Sequence, residues 1–294
     1  MLNLKGTGVA MITPFKNNEV DYKAIEKIVE HLIEGGIEYI VPLGSTGESA
    51  TLNEDESRKV LDLVIRIVNK RIPVVAGNFG SNNTQDLCAK IKNYNFTGID
   101  AILSSSPAYV KPSQEGIFNH YMEIEKVSPV PIIIYNVPSR TRSNISWKTT
   151  VRLAEASNKF IGIKEASGDL VQASKIIKNK PDHFIVTSGD DEVAMPFIAC
   201  GGDGVISVIG NAFPHNFSSM IRASLKGDFK TARQLNYETY DLHQWLYIDG
   251  NPVGIKSAME VLGFCSNDVR LPLSNMTEKA YKSLEQEIKK ITSN

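Results

Sequence analysis

The sequence predicts an α/β fold, a (β/α)8 TIM barrel with a C-terminal helical extension. Three observations predict it. Eight short Ile- and Val-rich apolar runs lie between residue 8 and about residue 225, and an amphipathic stretch of helical period follows each. The last stretch of roughly seventy residues contains no further run of that kind. Such runs are too short for helices, and their nearly continuous apolar character suits parallel strands covered on one or both faces. Strands alternating with helices imply parallel β-α-β units. Eight units imply a closed ring, with an open doubly wound sheet as the alternative that the pattern alone leaves standing.

The expected strands are 8–13, 39–43, 73–76, 101–103, 131–135, 160–163, 183–187 and 204–208. The first expected helix, 21–34, places Ile25, Ile28, Val29, Leu32 and Ile33 on one face, with Asp21 as N-cap and Gly35 as the stop. In the second, Asn53 and Glu56 form a capping box ahead of Val60, Leu61, Val64, Ile65 and Val68. Further helices are expected to begin near Thr84, Ser113, Ser146, Asp169, Glu192 and Pro214. The expected division is a barrel over 1–225 carrying the site and a helical region over 226–294. The final helix carries Tyr281, Leu284, Ile288 and Ile291.

Composition excludes several classes. With 33 acidic and 32 basic residues the formal charge is −1, without the basic excess of a nucleic-acid binder. The 42% hydrophobic content suits a globular core rather than a disordered chain. The three cysteines, Cys88, Cys200 and Cys265, form no close pair, which fits a reducing cytoplasm. The five histidines are scattered, with neither His-Glu-x-x-His nor Cys-x-x-Cys, so no metal site is expected. The uncharged stretch 205–221 contains Asn211, Pro214, His215 and Asn216 and is no membrane span. Neither Gly-x-Gly-x-x-Gly after the first strand nor Gly-Lys-Ser/Thr anywhere is present, so no nucleotide cofactor is expected.

In a barrel of this kind the chemistry belongs at the C-terminal strand ends. Lys164 closes the run Phe160-Ile161-Gly162-Ile163 and, at period two, shares a face with Gly162. If that face is the interior, Gly162 leaves room for the lysine stem and a small ligand. An enclosed site favours the neutral amine, which attacks ketones to form a Schiff base. A strand-end lysine paired with a carboxylate or reaching solvent reads equally well from position alone. Tyr135 ends another apolar run, as a rim aromatic or as a phenol that relays protons. The tight loop Gly44-Ser45-Thr46-Gly47 offers turn chemistry, or a nest of N–H groups with two hydroxyls for a carboxylate. Arg140 is a surface charge or a bidentate carboxylate clamp. Asp190 and Asp191 solvate a loop or cap a helix; a magnesium site shared with Asp203 is the remote alternative.

Four segments in order, Gly44-Ser-Thr-Gly-Glu-Ser-Ala-Thr-Leu-Asn53, Pro112-Ser-Gln-Glu-Gly116, Tyr135-Asn-Val-Pro-Ser-Arg-Thr141 and Ile161-Gly-Ile-Lys-Glu-Ala-Ser-Gly168, resemble the pyruvate-dependent class I aldolase family and its dihydrodipicolinate synthase branch. The likeness runs along nearly the whole chain. It implies a lyase that condenses pyruvate with L-aspartate 4-semialdehyde through an imine on Lys164, a step toward diaminopimelate and lysine, without cofactor. It implies Tyr135 as acid/base, Thr46 as carboxylate holder and relay member, and Ser45 where the synthases usually carry threonine. Tyr109 matches a tyrosine inserted into a neighbouring subunit's site, in a homo-oligomer, dimer or tetramer. Arg140 matches the arginine that grips the aldehyde substrate's carboxylate, and Ile206 the residue whose carbonyl faces the pyruvate pocket. Gly189 is counted with the substrate-binding residues.

Other pyruvate aldolases, such as N-acetylneuraminate lyase or 2-keto-3-deoxy-sugar acid aldolases, would share Lys164 and Tyr135. Arg140 disfavours them, because polyhydroxylated aldehydes need hydroxyl partners rather than a cation. A non-catalytic barrel that senses a keto acid is the more distant rival. Some members of the family are inhibited by lysine. Here Glu54 and Ser57 stand where sensitive members have histidines, Asp86 replaces a glutamate beside Asn82, and Ala108 replaces a second tyrosine before Tyr109. Insensitivity to lysine is therefore expected.

Overall fold

The computed structural model describes residues 2–293. Its strands are β1 (Gly6–Ala10), β2 (Tyr39–Val41), β3 (Val75–Ala76), β4 (Ala101–Ser105), β5 (Ile132–Asn136), β6 (Phe160–Glu165), β7 (Ile185–Ser188) and β8 (Gly204–Ser207). All neighbouring strands are parallel, in the spatial order β2-β1-β8-β7-β6-β5-β4-β3. The parallel bridge between Ile40 and Val74 joins the two ends. Ile40 N donates to the Pro73 carbonyl at 3.0 Å and Gly77 N to the Pro42 carbonyl at 2.9 Å across that seam. The ring is therefore closed, and the open doubly wound alternative falls.

Around the barrel lie α1 (Tyr22–Glu34), α2 (Glu54–Val68), α3 (Thr84–Asn93), α4 (Gln114–Val127), α5 (Pro138–Thr141), α6 (Trp147–Ala156), α7 (Leu170–Asn179), α8 (Ala194–Ala199) and α9 (Pro214–Leu225). Most of their starts follow side-chain caps, α5, α8 and α9 being the exceptions. Asp21 accepts from Ala24 N, Asn53 and Glu56 form the reciprocal capping box, and Ser113, Ser146 and Asp169 each accept from amides of the first turn. α8 begins at Ala194, two residues after Glu192, and has only six residues. α10 (Phe229–Thr239), α11 (His243–Tyr247), α12 (Val253–Val261) and α13 (Glu278–Thr292) follow. α10 packs on α9 and α13 on α12, where Leu284 and Ile288 are buried. Among the described residues no helix is long and apolar enough to cross a membrane.

Two apolar layers result. Strand residues facing outward join the helices in the main core, including Ile40, Ile102, Ile134 and Ile163. Residues facing inward fill the barrel, among them Tyr39, Val41, Val75, Leu103, Ile133 and Ile206. Elements absent from the sequence reading include the short α5 and a two-stranded antiparallel hairpin, Phe15–Lys16 with Glu19–Val20. Its turn is Asn17-Asn18, both at positive φ, the geometry that two-residue hairpin loops demand.

Candidate active site

Lys164 owes its direction to a bulge. Ile132 of β5 pairs with Phe160 of β6, but Ile133 pairs with Gly162, so β6 carries one extra residue. Phe160 packs outward in the main core, and strict alternation from there would turn Lys164 outward as well. The extra residue flips the pattern. Ile163 packs outward, and Lys164, 5% exposed, enters the cavity at the barrel mouth. Tyr135 of β5 pairs with Lys164 in register, and Lys164 Nζ lies 4.6 Å from the centre of its ring.

The room for the lysine stem comes from a glycine other than the expected one. A Cβ on Gly162 would lie 2.4 Å from Ile185 Cγ1, so that glycine admits the neighbouring strand's isoleucine. A Cβ on Gly189 would lie 3.0 Å from Lys164 Cε and 2.5 Å from Ala166 Cβ. Gly189, just past β7, is what clears the space.

The cavity is about 370 Å³ and is lined by Ser45, Thr46, Tyr135, Arg140, Lys164 and Gly189 among others. Six of the eight expected residues thus meet. Ile206 does not line it; its side chain lies in the barrel interior. Tyr109 stands away from it, 87% exposed and at φ +68°. A larger cleft of about 940 Å³ opens beside the cavity, sharing Ser45, Tyr135 and Arg140 but not Lys164, and running over Glu54 and Ser57 to Ala108.

The loop after β2 is a tight turn. Gly47 N donates to Gly44 O and Glu48 N to Ser45 O, so two amides are used within the turn. Those of Ser45 and Thr46 have no acceptor among the described residues and remain available to a carboxylate. Thr46 Oγ1 accepts from Asn251 Nδ2 at 3.0 Å, which leaves its own O–H to donate elsewhere. Arg140 projects from α5 at the rim, and its Nη2 donates to the Asn251 carbonyl at 3.1 Å.

Two carboxylates are buried at the end of β6 and in the loop after β7. Glu165 accepts from Asn136 Nδ2, Ser167 N and Gln172 Nε2, tying the end of β6 to β5 and α7. Burial pushes its carboxyl up from the usual range, opposed by these donors. Asp191 Oδ2 accepts from Val208 N and Ile209 N, both at 2.8 Å. Burial pushes it up too, against those amides and the Lys164 charge. Asp203 sits at the opposite, N-terminal end of β8, where it accepts from Val186 N and pairs with Lys5, so the three aspartates cannot gather around one ion. No cluster of three or more metal-binding side chains occurs among the described residues.

The sequence reading assigned nothing to Asn251, Tyr247 or His243, which also line the cavity. They come from α11 and the turn after it, distant from every strand end, and the only local signal was the turn dipeptide Asn251-Pro252. His243 is 1% exposed, and burial lowers its imidazole below the usual range against the raising effect of Glu192 and Asp190.

Comparison with known proteins gives the family. The model of the dihydrodipicolinate synthetase family matches residues 3–291. The 4-hydroxy-tetrahydrodipicolinate synthase of Cytophaga hutchinsonii is 48% identical over 288 residues, 98% of this chain and 96% of its own. That of Parabacteroides distasonis is 46% identical over 292 residues, 99% of this chain and 98% of its own. The crystal structure of dihydrodipicolinate synthase from Aquifex aeolicus superposes with a TM-score of 0.94 at 38% identity, covering 98% of each chain. With its lysine, tyrosine and hydroxyl loop assembled at the mouth of a closed barrel, and with relatives matched from end to end, this chain belongs to the dihydrodipicolinate synthetase family.

Proposed function

We propose that this chain is a class I aldolase-type lyase condensing pyruvate with L-aspartate 4-semialdehyde to 4-hydroxy-tetrahydrodipicolinate, the reaction implied by its relatives' names. The observation that carries the reading is a single buried lysine amine beside a tyrosine ring, at the floor of a cavity with two hydroxyls on one wall and an arginine at the rim.

Lys164 attacks C2 of pyruvate, and loss of water gives the imine. A methyl proton then leaves, and the resulting enamine carbon bonds to the aldehyde carbon of the semialdehyde. The substrate's amine finally attacks the imine carbon, closing the ring and releasing Lys164. Tyr135 moves protons for these steps with Ser45, Thr46 and the Tyr109 of a neighbouring subunit. Thr46 and the free amides of the turn hold the pyruvate carboxylate, and the backbone at Gly189 and Ile206 bounds the keto-acid pocket. Arg140 grips the carboxylate of the semialdehyde. These contacts speed the reaction by meeting charge that moves during it. No step calls on a cofactor, a nucleic acid or a membrane.

The exposure of Tyr109 supports a homo-oligomer, dimer or tetramer, in which that side chain is covered by a second copy. Free Cys88, Cys200 and Cys265 suit the reducing cytoplasm. The test is an assay with pyruvate and either the semialdehyde or a polyhydroxylated aldehyde. Turnover of the semialdehyde alone is expected; preference for the sugar aldehyde would transfer the chain to the sugar-acid aldolases.

A further inference from the structure

Glu48 and Lys256 are buried against one another beneath the Ser45-Thr46 turn, 4% and 0% exposed. Lys256 Nζ donates to Glu48 Oε1 at 2.5 Å and to the Asp268 carbonyl at 2.7 Å, and lies 3.9 Å from the centre of the Phe15 ring. Glu48 Oε2 accepts from Arg270 N at 3.2 Å. The proposed chemistry uses neither side chain. A buried ion pair is a poor source of stability, because removing both charges from water offsets most of their attraction. Its place in the backbone supplies another reason for it.

Glu48 is held in the left-handed region, at φ +51° and ψ +35°, and Leu43 on the other side of the turn is at φ +61°. Between them the chain passes so close to the residue after β1 that a Cβ on Gly47 would lie 3.0 Å from the Met11 carbonyl oxygen. Non-glycine residues keep such a conformation only where their surroundings over-determine it. Here Thr13 donates to the Gly47 carbonyl at 2.7 Å and Thr51 to the Glu48 carbonyl at 3.0 Å. Lys256 and Arg270 N grip the Glu48 carboxylate. Asn251, which grips Thr46, precedes the Pro252 that starts α12, and Lys256 N donates to the Pro252 carbonyl. One helix start therefore fixes both Thr46 and Glu48.

We propose that the buried Glu48–Lys256 pair is a positioning device for the substrate-binding turn: it holds Glu48 left-handed and so aims Ser45 and Thr46 into the cavity. This rests on the proposed function for what those hydroxyls do. Glu48→Gln keeps the shape and removes the charge, and Glu48→Leu/Lys256→Met replaces the pair by apolar groups of similar size. Glu48→Gln should raise the pyruvate KM and lower kcat, each about tenfold, while the semialdehyde KM stays within about twofold. The double variant should regain the wild-type melting midpoint yet keep the low kcat/KM for pyruvate.

Recovery of both midpoint and kcat/KM in the double variant would overturn the proposal, as would wild-type kinetics for Glu48→Gln. If Glu48→Gln does not fold, the double variant decides. A double variant that does not fold either also overturns it, since the pair would then be a determinant of folding. Trapping of pyruvate on wild-type Lys164 with borohydride is run alongside. Failure of that trapping removes the chemical reading; failure of the variant pattern with trapping intact removes only the positioning role.

Discussion

At the scale of single residues, direction matters as much as identity. Lys164 was legible as a lysine ending an apolar strand, but its inward turn depends on the extra residue of β6 opposite Ile132 and Ile133. No local pattern announces that bulge, because Phe160, Ile161 and Ile163 are all apolar and suit either face. For the same reason Gly162 looked like the space-maker, whereas Gly189, on the next strand's loop, fills that role. Asn251 was invisible, its partners Thr46 and Arg140 lying 205 and 111 residues away in sequence. In the proposed reaction Arg140 has a role separable from that of Lys164. Arg140→Ala is expected to raise the KM for the semialdehyde about ten- to a hundredfold, the loss of a charge-assisted bidentate contact, and to leave the pyruvate KM nearly unchanged. Steady-state kinetics with each substrate varied in turn check this. A rise confined to pyruvate would assign Arg140 to the other substrate.

Elements were legible where caps and period agreed. Asn53 with Glu56, Ser113, Ser146 and Asp169 marked helix starts correctly because each satisfies amides that the helix itself leaves unpaired. The Asn17-Asn18 hairpin escaped because its strands are two residues each, too short for alternation to register. Packing between elements adds a pH response. His120 on α4 is 4% exposed, with Nδ1 2.8 Å from Thr84 Oγ1 on α3, and burial lowers its pKa from 6.5 to about 4. Between those values the unfolded chain binds the proton that the folded chain refuses, so stability is complete above pH 6.5 and falls as the pH drops toward 4. The loss should approach about 3 kcal/mol at the lower limit. His120→Leu should therefore lose less melting midpoint than wild type between pH 7 and pH 5. Parallel losses in both proteins would contradict the assignment.

For the whole molecule, the ring of eight strands was legible from the count of β-α units, but closure itself rests on a short seam at Ile40 and Val74 that sequence does not display. Tyr109 looks outward at 87% exposure, held at its base by Thr141 O and next to an Ala108 amide capped by Asn82. If a second copy takes that side chain into its site, Tyr109→Phe should cripple turnover and dilution to monomers should inactivate the wild type. A fully active monomer in sedimentation and assay would contradict the shared site. The neighbouring cleft bears Glu54 and Ser57 and no imidazole, and Ala108 stands where a second tyrosine before Tyr109 would wall a tetramethylene stem. L-lysine titrated into the coupled assay should accordingly leave the rate unchanged at sub-millimolar levels, and clear inhibition there would show that the cleft binds it.

The most direct test of the central claim is covalent. Borohydride reduction in the presence of pyruvate should add one pyruvate-derived group per chain, and peptide mapping should place it on Lys164. Lys164→Ala should take up none, and prior exhaustive chelation should leave the labelling of wild type intact. Labelling at any other lysine, or labelling that persists in Lys164→Ala, would contradict the Schiff-base assignment on which the account depends.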